Sequence, residues 1–178
     1  MRSLPDGADR DMSSRLVIDG YNLIGVSSES HDIEELRDNL VSDLAVYRRL
    51  RRVKLTVVFD ATFTGRLTGS RETRDGVEVV FTRGGERADD IIKDRCRTGG
   101  GGLTVVTSDR DVAAYAASRG AVVIGSGEFR GLLDRALYED LKGEDPDDGE
   151  GVTASFRKGP SKKPGKAERR KINRLKKL

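Results

Sequence analysis

The sequence contains one cysteine, Cys96, and one histidine, His31. A single thiol excludes an intramolecular disulfide and any cysteine-based metal cluster, and it fits a reducing compartment. Zinc is disfavoured for the same reason, since its sites draw on thiolate and imidazole donors. His31 closes the stretch S-S-E-S-H ahead of a predicted helix and reads as a loop residue rather than a ligand or general base. Long apolar runs are also missing. No segment approaches the roughly 20 apolar residues of a membrane-crossing helix, and the start, M-R-S-L-P-D-G, has no apolar signal core. A soluble, cytoplasmic protein with no membrane partner is expected. There are no internal repeats. The T-G-G-G-G run at residues 98–102 belongs to neither a G-x-G-x-x-G nor a Walker pattern, so no phosphate-cradling loop is read there.

Charge is plentiful but unevenly placed. Residues 157–178 carry eleven Lys and Arg against one acid, Glu168, a charge of +10. Residues 1–156 then hold 22 Lys and Arg against 29 Asp and Glu, or −7, although the whole chain is only +3. A basic arm suits nucleic acid, because neutralising phosphates releases counterions and gives affinity without sequence preference. A solvated tail and an arm folded back onto the acidic body are the alternatives that composition leaves. Fully extended, residues 151–178 would span roughly 90 Å at about 3.3 Å per residue, enough to reach RNA or a ribosome.

The 178 residues suit one domain and a tail. Residues 1–14 are polar, with Pro5 and Gly7, and are expected to be disordered. Residues 15–141 alternate strand and helix signals, and residues 142–178 form an acidic linker, G-E-D-P-D-D-G-E-G, and the basic tail. Short apolar runs predict strands at Arg15–Asp19, Leu55–Asp60, Val77–Thr82, Leu103–Ser108 and Ala121–Ser126. Helical spacing predicts helices at about 32–52, 88–97, 110–119 and 128–141. The alternation implies an α/β fold with a mostly parallel five-stranded sheet in the order 3-2-1-4-5, its third strand at an edge. Gly20 is read as a turn, and the polar stretch from Ala61 to Gly76 as a long loop.

The strands end in acid. Asp19, Asp60 and Asp109 follow the first, second and fourth apolar runs, and Asp89 and Asp90 open the helix after the third. In an open parallel sheet the carboxyl ends of the central strands share one crevice, where ligands bind. Carboxylates collected there repel one another unless a cation sits between them, and a hard divalent ion with oxygen ligands suits the set. Taken singly, each acid has a structural explanation: Asp60 as a turn residue, Asp89 and Asp90 as partners of a helix dipole, Asp109 as an N-cap. Asn22 lies within reach of the ligand of Asp19, and Asp111 is a further acid nearby. Tyr21 either stacks on a base or packs under the sheet rim, and Glu86 joins the site only if the R-G-G loop folds inward. Arg66, Arg71, Arg74, Arg83 and Arg87 follow strand-end acids and are candidates for gripping phosphate, or else decorate a surface loop. Lys162, Lys163, Arg169 and Arg170 belong to the basic tail.

The ordered set D-G-Y-N-L-I-G, V-V-F-D-A, E-R-A-D-D-I-I and V-V-T-S-D-R-D resembles the YacP-like branch of the NYN domains, ribonucleases of the PIN-like superfamily. The resemblance spans about Arg15 to Leu141. It implies a three-layer α/β/α sandwich and metal-dependent endonucleolytic cleavage of RNA, with action at the ribosome for some relatives. It also implies that Asp19, Asp60, Asp89 and Asp109 hold Mg²⁺ or Mn²⁺, supported by Asn22, Asp90 and Asp111. A noncatalytic RNA- or ribosome-binding module and a structure-specific DNA nuclease are the competing functions. A phosphatase of the haloacid-dehalogenase type would need D-x-D, which D-G-Y at Asp19 does not supply.

Overall fold

A computed structural model describes residues 14–25, 32–61, 68–142 and 166–175. The elements run β1 (Arg15–Asp19), α1 (Gly20–Ile24), α2 (Ile33–Arg51), β2 (Lys54–Phe59), β3 (Ser70–Arg74), β4 (Val77–Phe81), α3 (Ala88–Gly99), β5 (Leu103–Val106), α4 (Arg110–Ser118), β6 (Val122–Ile124), α5 (Ser126–Lys142) and α6 (Lys166–Leu175). One sheet has the order β3-β4-β2-β1-β5-β6, parallel throughout except for β3. Each strand of the parallel part is apolar on both faces because each face is covered. Leu16 and Ile18 of β1 pack with α1, α2 and α5 through Leu40, Leu44, Tyr47, Phe129 and Leu133. Val17 faces the other way, toward Ile92 and Cys96 of α3 and Val112 and Ala116 of α4. The α/β class and three-layer sandwich are as expected, and the five expected strands keep their order.

The sheet nevertheless has six strands rather than five. S-R-E-T-R lacks buried apolar alternation, so it reads as loop, yet it pairs antiparallel with β4. Asp75 and Gly76 both have positive φ, 47° and 80°, and Arg74 pairs with Val77 across them. That is a two-residue type I′ hairpin, whose backbone twist matches the strands it joins. β4 is thus an interior strand, not an edge. A second correction concerns Gly20. The chain enters α1 there without a left-handed turn, and a β-carbon would lie 2.4 Å from the Phe59 ring. Glycine is needed because the aromatic ring occupies the space of a side chain.

Ser14, expected to be disordered with the residues before it, is buried, and its carbonyl accepts the Lys54 N–H at 3.0 Å. Leu36 and Leu50, on the helical spacing of α2, are exposed, at 39% and 37%. The basic end of α2 pairs with α5, Arg49 with Asp140 at 2.6 Å and Arg51 with Glu139 at 2.8 Å. Within the basic tail, α6 folds back: it packs beside β6, the Arg174 guanidinium reaches Ser14 and Gly101, and Lys171 pairs with Glu128 at 2.7 Å. Residues 1–13, His31, Arg66, the acidic linker at 143–151, Lys162 and Lys163 lie outside the described residues.

Candidate active site

Parallel pairing aligns the carboxyl ends of β1, β2 and β5, with β1 between the other two. Strand order reverses direction at β1, which makes its carboxyl end the switch-point crevice of such sheets. Asp19 is the last residue of β1, Asp60 follows β2, Asp109 follows β5, and Asp89 sits in the first turn of α3 after β4. The fold therefore gathers all four at one edge.

Asp19 is only 9% exposed. Burial pushes its carboxyl up to about 6; the Asn22 N–H, donating to Oδ1 at 3.2 Å, opposes this, and the charges of Asp89, Asp109 and Asp60 push it further up. Asp109 behaves oppositely. Its Oδ1 accepts the N–H groups of Val112 and Asp111 at 3.0 and 2.8 Å, which, with the nearby charges of Lys93 and Arg87, hold it below the usual carboxylate range. Asp60 Oδ2 accepts the Ala88 N–H at 3.3 Å and so ties the end of β2 to the start of α3. Asp89 is half-buried, 3.9 Å from the exposed Arg87 guanidinium.

Asn22 acts as a clasp. Its Oδ1 accepts both the Ser108 N–H at 2.9 Å and the Ser126 hydroxyl at 2.5 Å, while the Ser126 N–H donates to Ser108 Oγ at 3.2 Å. An amide oxygen has two lone pairs, and both are engaged. The residue therefore fixes the loop carrying Asp109 against α1 and α5 rather than offering that oxygen to a ligand. Asp90 is exposed and accepts the Arg87 N–H at 3.3 Å as a helix-capping acid, and Asp111, also exposed, serves Asp109 through its backbone N–H. Tyr21 is buried edge-on to Phe59 with centroids 5.1 Å apart, so it packs under the rim instead of presenting a face to a base. Glu86 accepts the Arg83 N–H and pairs with its guanidinium at 3.7 Å.

Of the arginines expected at the site, Arg87 lies 3.9 Å from Asp89 and Arg83 pairs with Glu86, and both are 74% exposed at the side chain. Arg74 is not brought to the crevice. It sits at the amino end of β4, paired with Glu72 and Asp38 at 2.8 and 2.9 Å. Arg71 pairs with Glu78 at 3.3 Å, and Arg169 and Arg170 lie on α6. Ser126 and Lys93 carry no motif that would have singled them out. Ser126 is an isolated hydroxyl, and Lys93 is recognisable only as the residue one turn after Asp89 on α3.

Among the described residues no three acids close on a point as a preformed cation cage would. The donor set still fits a hard divalent ion that uses one or two carboxylates and completes its shell with water and phosphate oxygens. Its donors are carboxylate oxygens, and Asp19 is held partly protonated by burial and like charge, a condition that a cation would relieve.

The family profile described as YacP-like NYN domain matches residues 16–159. Among solved structures the chain is similar to Rae1 (YacP) from Bacillus subtilis, at 27% identity and a TM-score of 0.58, covering 71% of this chain and 77% of that one. A point mutant of that protein gives 26% identity and a TM-score of 0.60 over 72% and 80% of the two chains. None of the curated proteins matches.

Proposed function

The chain belongs to the YacP-like NYN family, a PIN-like nuclease family, and from that footing we propose that it is a metal-dependent endoribonuclease that hydrolyses RNA phosphodiester bonds in the cytoplasm, on ribosome-bound messenger among its substrates. The observation that carries this reading is the buried Asp19, ringed by Asp60, Asp89 and Asp109 at the carboxyl edge of the sheet. Asp19 and Asp109 are the principal holders of Mg²⁺ or Mn²⁺, with Asp60 and Asp89 beside them. When bound, such an ion lowers the pKa of its water and stabilises charge on the leaving oxygen. Asp109, kept ionised by two backbone N–H groups, is ready to hold a cation at neutral pH. Asn22, through Ser108 and Ser126, keeps Asp109 in register with Asp19. Arg83 and Arg87 are placed to draw the phosphate backbone across the acids, since guanidinium forks match phosphate oxygens.

The test is cleavage of labelled single-stranded RNA and matched DNA with Mn²⁺, Mg²⁺ or EDTA, beside Asp19→Asn. Metal-dependent cutting of RNA, lost in the variant, supports the reading; equal cutting of DNA moves it to a structure-specific nuclease. A blank leads to the same assay on translating ribosomes, and a second blank overturns it. A noncatalytic RNA-binding module is favoured by one observation, the absence of a closed three-acid cage among the described residues. If the acids no longer serve a cation, Mg²⁺ or Mn²⁺ leaves the melting temperature unchanged.

A further inference from the structure

The amino edge of the sheet is the electrostatic reverse of the carboxyl edge. β1, β2 and β5 begin there side by side, with Arg15 in register with both Lys54 and Leu103. Exposed Arg15 and Lys54, with Arg95 from α3, line a cavity of about 210 Å³ that also meets Leu16, Val17 and Leu103. Glu78 is the acid in that lining, and it is already engaged. It accepts from Thr56 at 2.6 Å and Arg95 at 2.8 Å and pairs with Arg71 at 3.3 Å. Burial pushes this carboxyl up, but those hydrogen bonds and charges outweigh it and hold it below its usual range. Glu78 is committed to its own neighbours, and Arg15 has no acid partner among the described residues.

Across the glycine run lies a second concavity of about 280 Å³, lined by Gly101, Val122, Arg170, Asn173 and Arg174, with no acid among the described residues that line it. Arg174 fastens α6 here, donating to Ser14 Oγ at 3.4 Å and to the Gly101 carbonyl at 3.3 Å, and Leu175 packs onto the core. The absent side chains of the glycines bring the cations together. A β-carbon on Gly102 would lie 2.8 Å from the Arg15 guanidinium, and one on Gly101 would lie 3.0 Å from that of Arg170. Two guanidiniums thus approach one bare stretch of backbone, each beside a concavity.

We propose that this amino edge is a second nucleic-acid surface, which grips the phosphate backbone of an RNA segment outside the crevice through Arg15 and Arg170. The proposal rests on RNA being the substrate. Paired cationic concavities suit a repeating polyanion rather than a single anion, and each phosphate neutralised releases counterions. With α6 docked, this helix contributes a fixed part of that surface. An RNA long enough to meet both edges is held better than a short one, with no sequence preference from this contact.

The experiment measures binding of a long labelled RNA by the full chain in EDTA across a salt series. It compares the wild type, Arg15→Gln/Arg170→Gln, Arg15→Lys/Arg170→Lys and Asp19→Asn, each first shown to melt cooperatively. Loss of two phosphate contacts lowers the slope of log K against log salt by roughly 1.5–2 in the glutamine variant. The lysine variant and Asp19→Asn keep the wild-type slope, and cleavage of a tetranucleotide, which occupies the crevice alone, is unaffected by the glutamine pair. An unchanged slope overturns the proposal. So does a glutamine variant that loses binding of inorganic phosphate or AMP but not RNA, which assigns the surface to free phosphate, or of an acidic peptide but not RNA, which assigns it to a protein. Because binding is read without metal, a protein that cuts no RNA would refute the nuclease reading and leave this result standing.

Discussion

Asp19→Asn should cost the protein its activity and yet make the metal-free fold more stable. The unfolded chain ionises Asp19 near its ordinary value of about 3.9, whereas the folded chain retains the proton up to about 6, chiefly because the group is buried. The favourable contribution of that retained proton is complete below pH 4 and is lost as pH rises through 6, so above 6 the folded state carries the whole cost of a buried, crowded carboxylate. Each pH unit between the two values is worth about 1.4 kcal/mol, so the penalty approaches about 3 kcal/mol. An asparagine has no charge to desolvate. Its Oδ1 still accepts the Asn22 N–H, and its amide nitrogen is a donor for the neighbouring acids.

In EDTA at pH 7.5, denaturant unfolding should therefore find Asp19→Asn more stable by up to about 3 kcal/mol. For a chain of this size that corresponds to roughly 6–12 °C in melting temperature. The advantage should shrink toward zero by about pH 3, where Asp19 is largely protonated in both states. Saturating Mg²⁺ or Mn²⁺ should reverse the order, since an ion at one thousand times its Kd adds about 4.1 kcal/mol to the wild type alone. A variant no more stable than the wild type in EDTA at pH 7.5 would refute the claim that Asp19 is strained by its surroundings. Stabilisation of both proteins by metal to the same extent would remove Asp19 from the ion's ligands.

Asn22→Ala leaves the Ser108 N–H and Ser126 hydroxyl without their acceptor; a loss of about 1–3 kcal/mol on urea unfolding is expected, with slower cleavage because Asp109 is released. Gly20→Ala drives a β-carbon into the Phe59 ring and should cost about 1–3 kcal/mol; Phe59→Leu in the same chain should recover part of it, and strictly additive costs would disprove the clash. Asp90→Ala should lower stability by about 0.5–2 kcal/mol through its lost cap while leaving cleavage intact, whereas Asp109→Asn should abolish cleavage. Equal loss of cleavage in both would place Asp90 among the working acids.

Asp19, Asp60, Asp109 and the parallel sheet were legible because a strand end is a local event: an apolar run stops and an acid follows within a residue or three, while Asp89 opens the helix after the third run. β3 was not, because both its faces are largely exposed and apolar alternation is the signal that reveals a strand. Its one available sign was the Asp75-Gly76 pair ahead of V-E-V-V-F. α1 is five residues long, too short to show a helical period, and the glycine that opens it looks like a turn. The Asn22 clasp joins residues 86 and 104 positions apart, and nothing within either segment announces the other. Arg74 has the right residue type for phosphate, but the hairpin that could not be read carries it to the wrong end of β4. The tail's fate was undecided for a similar reason, since its docking rests on Leu175, Lys171 and Arg174 meeting partners far away in the chain.

Sequence set a structural explanation, turn residue for Asp60, dipole partner for Asp89 and N-cap for Asp109, against a ligand's role, as though one excluded the other. In the fold three of them are caps or cap-like: Asp19 receives an N–H of α1, Asp109 receives two of α4, and Asp60 receives that of Ala88, the first residue of α3. Helix N-termini favour anions, so the same contacts that cap the helices offset part of the repulsion between the carboxylates. They also orient them. A carboxylate has two oxygens and about four acceptor sites, and one or two N–H bonds leave capacity for a cation. Asp19 shows the limit of that compensation, because its single N–H at 3.2 Å does not overcome burial and three like charges. Asp109, with two such bonds and little burial, is held ionised. Capping is thus how this sheet edge assembles acids that would otherwise drive one another apart, and the degree of capping decides which of them wait on a cation.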